Sequence, residues 1–262
     1  MSKSGSILAI ICVWAAMSCT SEKDSAFTRM EQFFSDDSLK HAIATYYRQY
    51  ACYHHGVSRT LVDSLGKPAT INYEQFPTDT LFREYLELNS YKYVEGPPLP
   101  DDEAMADEDL KQRINAMAEL RNMPWCKNLA WKDFCRYVLP YRNGDEALSN
   151  WYLGFRGKYL ASIADSVKNL QSIRDVANYL IRCMQREVQY GTRLGYFYDF
   201  QFLTPEEMER MHTLECKALA HYGTLALRSC GIPCVMLETH WRFTDLLLSL
   251  PPLFISIYDT SV

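Results

Sequence analysis

Glu215-Cys-Lys-Ala-Leu-Ala-His-Tyr-Gly-Thr-Leu-Ala-Leu-Arg-Ser-Cys-Gly231-Ile-Pro233-Cys-Val-Met-Leu237 decides the fold. Ala218, Leu219, Tyr222, Leu225 and Ala226 recur at helical spacing and form the apolar stripe of one helix. Gly231 is placed to end that helix in a left-handed conformation, and Pro233 forbids its continuation. Residues 235–239 then read as a strand. Cys216 is therefore expected in the first turn of a helix that packs on a following strand. A helix N-terminus carries about half a positive charge, which favours thiolate and lowers a cysteine pKa. Such a thiolate attacks an amide or ester carbonyl to form an acyl-enzyme, with helix-start N–H groups facing the oxyanion. Spacing alone favours Cys216 merely beginning a buried helix, since cysteine is often a small core side chain.

Upstream, the pattern is mainly helical. Met30, Phe33, Phe34, Leu39, Ile43, Tyr46 and Tyr47 share a face over 27–51. Residues 64–80, with Gly66, Pro68 and Pro77, read as a loop, and 82–93 as a short helix. The segment 103–122 reads as an exposed amphipathic helix. Residues 170–188 predict another, burying Ile173, Val176, Ala177, Leu180, Ile181, Met184 and Val188. Between them stands Trp131-Lys-Asp-Phe-Cys-Arg-Tyr-Val-Leu-Pro-Tyr-Arg142-Asn-Gly-Asp-Glu146, read as a helix stopped by Pro140 with Arg142 and Glu146 paired.

Cys216 followed by Arg228-Ser-Cys-Gly231-Ile-Pro233 resembles the bacterial transglutaminase-like superfamily, where a catalytic cysteine opens a helix ending in Arg-x-x-Gly-Ile-Pro. The Phe134-Cys to Glu146 stretch is similar to a segment of large Bacteroides-type lipoproteins that carry such a domain. The resemblance implies a papain-like core, with Cys216 as nucleophile and a following histidine and aspartate as base and orienting group. It implies thiol-based acyl transfer or amide hydrolysis on peptide or protein substrates. The chain departs from that pattern in two places. Leu214-Glu215 stands where relatives carry Gly nearby, and Trp241 falls at the strand-end tryptophan, making His240 its neighbour rather than the base. His240 and Asp259 remain fallback partners, in the right order after Cys216, while His212 and His221 are poorer candidates. The chain ends at Val262, 46 residues beyond Cys216, and 246–262 holds Asp259 as its one charged side chain. The expectation is a reading frame disrupted near Asp245, with the catalytic histidine and aspartate lost and activity impaired. An alternative function is a non-catalytic surface module that binds peptide or glycan.

The N-terminus gives the location. Lys3 precedes an uncharged run from Ile7 to Met17, the layout of a secretion signal and shorter than the roughly 20 residues that span a bilayer. Ala16-Met-Ser-Cys19, followed by a polar stretch, resembles a bacterial lipobox, which implies acylation of Cys19 and a lipid tether to the cell envelope, at the outer membrane. Without the lipobox the same segment is a cleavable signal and Cys19 a plain thiol. The division expected is a signal peptide over 1–18, a tether over 19–30, a helical region over 31–190 and a partial transglutaminase-like core over 191–262. The fold class is α+β.

Net charge of −5 without basic blocks argues against nucleic acid as partner. Seven cysteines follow Cys19, an odd number, with no Cys-x-x-Cys pair. No metal site or cofactor is implied, and the thiols are expected mostly in the core.

Overall fold

A computed structural model describes residues 25–72, 75–76, 79–161, 163, 172–190, 203–236 and 255–257. The pattern over 27–51 resolves into two helices, α1 (Ala26–Phe33) and α2 (Ser38–Ala51). Asp37 separates them, its carboxylate accepting the Lys40 backbone N–H at 3.1 Å and capping α2. That hydrogen bond holds the Asp37 carboxyl below its ordinary pKa. Ser25 caps α1 in the same manner. The stretch 26–30, expected as tether, is therefore helix, because Phe27 and Met30 turn one face of α1 into the core.

Helix α3 (Asp79–Leu88) is shorter than the 82–93 reading at its C-terminal end. The chain turns at Ser90, with φ of 53°, and enters a strand, β3 (Lys92–Glu95), that pairs antiparallel with β2 (Arg59–Val62). A second antiparallel pair joins β1 (His55–Gly56) to β4 (Leu99–Pro100). A short α4 (Asp101–Ala104) then leads into α5 (Asp107–Arg121). This is the segment expected to lie exposed, and it is central instead. Leu110, Ile114, Met117 and Leu120 are buried against α1 and α2, and Arg29 of α1 is ion-paired to Asp107 at its start.

Helix α6 (Trp131–Tyr137) ends before Pro140, and α7 (Trp151–Phe155) continues into a π-helical turn, Arg156–Leu160. Helix α8 (Ile173–Glu187) is capped by Ser172 and buries its expected residues, with Ile181 only partly covered. Helix α9 (Pro205–Met211) opens on a capping box in which Thr204 and Glu207 satisfy each other's backbone N–H. Short parallel strands β5 (Gln189–Tyr190) and β6 (Thr213–Leu214) precede α10 (Cys216–Ser229). β7 (Cys234–Met236) pairs antiparallel with β8 (Ile255–Ile257). Among the described residues the class is α+β, mostly helix with four two-stranded sheets. One apolar cluster runs from Ala26 to Cys234, so the described parts of the expected helical region and core share a single interior.

A buried ion pair organises that interior. Asp101 and Arg142 are 0% and 3% exposed. Arg142 grips Asp101 with two N–H groups, Nε at 2.6 Å and Nη2 on the other oxygen, while Tyr141 O–H donates to Asp101 at 2.9 Å. The third guanidinium nitrogen, Nη1, donates to the Glu146 backbone carbonyl, not to the carboxylate expected from the sequence. The Glu146 carboxylate instead accepts the backbone N–H groups of Asn143 and Gly144, at 3.2 and 2.9 Å. Gly56 of β1 passes so close that a Cβ there would lie 2.7 Å from Arg142 Nη2 and 3.1 Å from the Glu146 carbonyl. Tyr141 also meets the rings of Tyr47 and Tyr50, with centroids 5.6 and 5.0 Å away.

Removing one partner of such a pair strands the other charge in the core. Asp101→Ala is expected to lower unfolding stability by about 3–5 kcal/mol, read from urea denaturation midpoints. Double replacement by apolar residues, Asp101→Leu with Arg142→Met, is expected to cost less than Asp101→Ala alone.

Candidate functional site

Cys216 is the first residue of α10, half-buried, with Glu215 as N-cap. Glu215 has φ of −73° and ψ of 171°, an extended conformation open to any residue. No glycine is needed for the chain to enter this helix. The Glu215 carboxylate accepts the backbone N–H of Ala218 at 2.7 Å and of Lys217 at 2.9 Å. A full negative charge thus occupies the helix N-terminus that the sequence reading assigned to a thiolate. The Cys216 thiol donates to the same carboxylate, Sγ to Oε2 at 3.3 Å.

The electrostatic consequence is opposite to expectation. Burial first, and then the hydrogen bond and charge of Glu215, raise the Cys216 pKa; the backbone N–H groups pull the other way and lose. The resting group is a thiol. The other described thiols set the scale. Burial pushes Cys126 and Cys234 to about 11 and Cys230 to about 12, the values of inert core cysteines. Cys52 alone among the described cysteines is exposed.

His221 lies one turn further along α10 and is fully buried. Its Nδ1 is 3.4 Å from Asn143 Nδ2, and its Nε2 is 4.0 Å from the Glu146 carboxylate. Burial, helped by the charge of Arg228, lowers its pKa to about 3, so the ring is neutral. Burial likewise raises the Glu146 carboxyl. Arg228 completes the cluster, donating from Nη1 to the Arg142 carbonyl at 3.0 Å and from Nε and Nη2 to the Cys234 carbonyl. The Arg-x-x-Gly-Ile-Pro arginine therefore ties the end of α10 to both the Leu139–Glu146 stretch and β7. Gly231 has φ of 78°, the left-handed cap read from the sequence.

The structure brings His221 to Asn143 and Glu146, whereas Glu215 is the one side chain among the described residues that hydrogen-bonds the Cys216 thiol. His212 adopts a left-handed backbone, φ 56°, ahead of β6, and its ring lies 3.4 Å from the Glu187 carbonyl. Cys19, His240, Trp241 and Asp259 lie outside the described residues. A cleft of about 130 Å³ between α7 and α9, floored by Trp151 and Phe155, is smaller than the roughly 300 Å³ at which ligand pockets begin. Its carboxylates are occupied, Glu206 by Ser149 and Glu209 by Tyr222 and Lys158. Sequence reasoning missed Glu215 as the thiol's partner and His221 as part of a polar cluster. The signal for Glu215 was its place immediately before the helix. No protein-family model, curated protein or solved structure matches the chain.

The buried histidine fixes a pH dependence. Unfolded, it takes up a proton below its ordinary value of 6.5, whereas native His221 resists until about 3. Native stability therefore falls as pH drops through that window, by up to an order of 4 kcal/mol. Glu146 works the other way, contributing stability below its ordinary 4.5 that is lost as pH rises through its raised value. The difference between wild type and His221→Asn isolates the histidine. It is expected to shrink steadily from pH 7 to pH 4 in denaturation curves, and a constant difference would contradict the assignment.

Proposed function

We propose that the chain is a lipid-anchored cell-envelope protein, tethered through Cys19, whose core is transglutaminase-like and whose Cys216 is held in a catalytically silent state. The observation that carries this reading is the Glu215 carboxylate, which caps α10 and receives the Cys216 thiol proton. A Cys-dependent acyl transferase requires the reverse, a cation or base beside the sulfur. The Cys-helix–strand arrangement, α10 packed on β7, supports the family chemistry of thiol acyl transfer or amide hydrolysis on peptide substrates. The thiol's electrostatics support its impairment in this chain.

A second reading keeps Cys216 active, with His240 and Asp259 as its partners. It is favoured by the half-exposed position of the thiol in the first turn of a 14-residue helix, where a substrate carbonyl can approach. A third, a peptide- or glycan-binding surface module, needs no nucleophile. Among the described residues no helix is long and apolar enough to cross a membrane; the lipid-anchored reading places membrane association in the lipid on Cys19.

Iodoacetamide labelling separates these readings. With its pKa raised by burial and by the Glu215 carboxylate, Cys216 is expected to react no faster than exposed Cys52 at pH 7. Glu215→Gln removes the acceptor charge and is expected to raise the Cys216 rate roughly threefold or more. Selective fast labelling of wild-type Cys216 at pH 6–7 would overturn the silent state in favour of the active one. Separately, Cys19→Ser is expected to move the protein from the membrane pellet to the soluble fraction after cell lysis. Unchanged pelleting would overturn the lipid anchor.

A further inference from the structure

Asn143-Gly144 is the one Asn-Gly pair in the chain. It lies in the bend that follows α6, outside helix and strand, and both residues are half-buried, within reach of water. Gly144 is not among the glycines with positive φ, so a left-handed turn does not account for it. Asn-Gly has a chemistry of its own. The glycine nitrogen can close a five-membered ring on the preceding side-chain amide, because no Cβ crowds its approach. That reaction needs a base for the N–H proton and an amide held in place.

Named side chains meet both needs. Gly144 N–H makes no backbone–backbone hydrogen bond among the described residues and donates to Glu146 Oε2 at 2.9 Å. Glu146 Oε1 accepts the N–H of Asn143 itself at 3.2 Å, so one carboxylate spans the pair. Glu146 is 1% exposed, and burial raises its pKa, which makes its ionised form a stronger base than a surface carboxylate. On the amide side, Asn143 Nδ2 lies 3.4 Å from His221 Nδ1 and 3.5 Å from Met236 Sδ. His221 Nε2 is in turn 4.0 Å from Glu146 Oε2. Groups from the bend, from α10 and from β7 thus converge on one dipeptide.

We propose that Asn143 is an autocatalytic modification site, at which Gly144 closes on the Asn143 amide and the residue matures to aspartate or isoaspartate. Glu146 Oε2 takes the Gly144 proton as the bond from that nitrogen to Asn143 Cγ forms. The Cγ–Nδ2 bond then breaks, and the nitrogen leaves as ammonia with the proton that Glu146 returns. Water opens the resulting succinimide at either carbonyl; it is the one co-reactant, and nothing is oxidised or reduced. The product carries a carboxylate where the amide stood, beside the buried His221 ring. The modification stands independently of the chemistry of Cys216.

The test follows the purified full chain at pH 8 over days, folded or unfolded in urea, by mass spectrometry of tryptic peptides. Asn143 opens the peptide that runs to Arg156, where conversion adds one mass unit and an isoaspartate product elutes separately. Conversion is expected to be roughly threefold or more faster in the folded chain than in the unfolded one. Glu146→Gln keeps an acceptor but removes the base, and its folded form is expected to lose that excess. The wild-type comparison needs no variant, so the test stays decisive if Glu146→Gln does not fold. A folded rate equal to or below the unfolded rate, or an undiminished rate in folded Glu146→Gln, contradicts the proposal.

Discussion

Asp101 and Arg142 meet where the chain has no solvent to compensate them, and every neighbouring segment is arranged to make that tolerable. Tyr141 adds a third hydrogen bond to the carboxylate, and the Glu146 carbonyl takes the remaining guanidinium nitrogen. The backbone of Gly56 is drawn against the same guanidinium. Desolvating two ions costs several kcal/mol each, and their attraction offsets this only when the remaining lone pairs and protons are used. Here they are used, by the Tyr141 hydroxyl and the Glu146 carbonyl, both from the stretch after α6. The pair therefore acts less as a source of net stability than as a register mark. Only one arrangement of these segments leaves no charge uncompensated.

The same accounting explains the character of the Cys216 site. A helix N-terminus offers unsatisfied N–H groups and a partial positive charge. Those can serve a thiolate or be consumed by a carboxylate, but not both at full strength. In this chain Glu215 takes them. Side-chain identity at the position before the helix thus decides whether the following cysteine is a nucleophile in waiting or a capped thiol. In the polar cluster beside it His221, Glu146 and Arg228 are buried and Asn143 is partly covered, which suits the cluster to holding α10 in place.

Features set by local chemistry were legible in the sequence. The α8 stripe, the Gly231 cap and the stop at Pro233 depend on residues within one or two turns of each other, and each was read. What was not legible depended on distant partners. Asp101, in an acidic run that resembles a loop, gains its role from a guanidinium 41 residues on. Helix α5 looked exposed because charged residues alternate with its apolar ones. It is buried because α1 and α2 cover one side and an aromatic box receives Arg113. Glu215 was visible as a departure from the family pattern, but its effect on sulfur required the distances. The candidate partners His240 and Asp259 fall where the structure describes nothing, so the site was legible as a position rather than as a mechanism.

The ties that close the interior also span long stretches of chain. Arg228 bonds to the Arg142 carbonyl across 86 residues, and Trp125 Nε1 donates to the Cys230 carbonyl across 105. Loop-closure entropy must be met before such contacts return anything. The α1–α2 hairpin, closed over a few residues, costs far less by comparison. The Arg228 tie, which joins α10 to the Leu139–Glu146 stretch, is among the costliest closures in the fold.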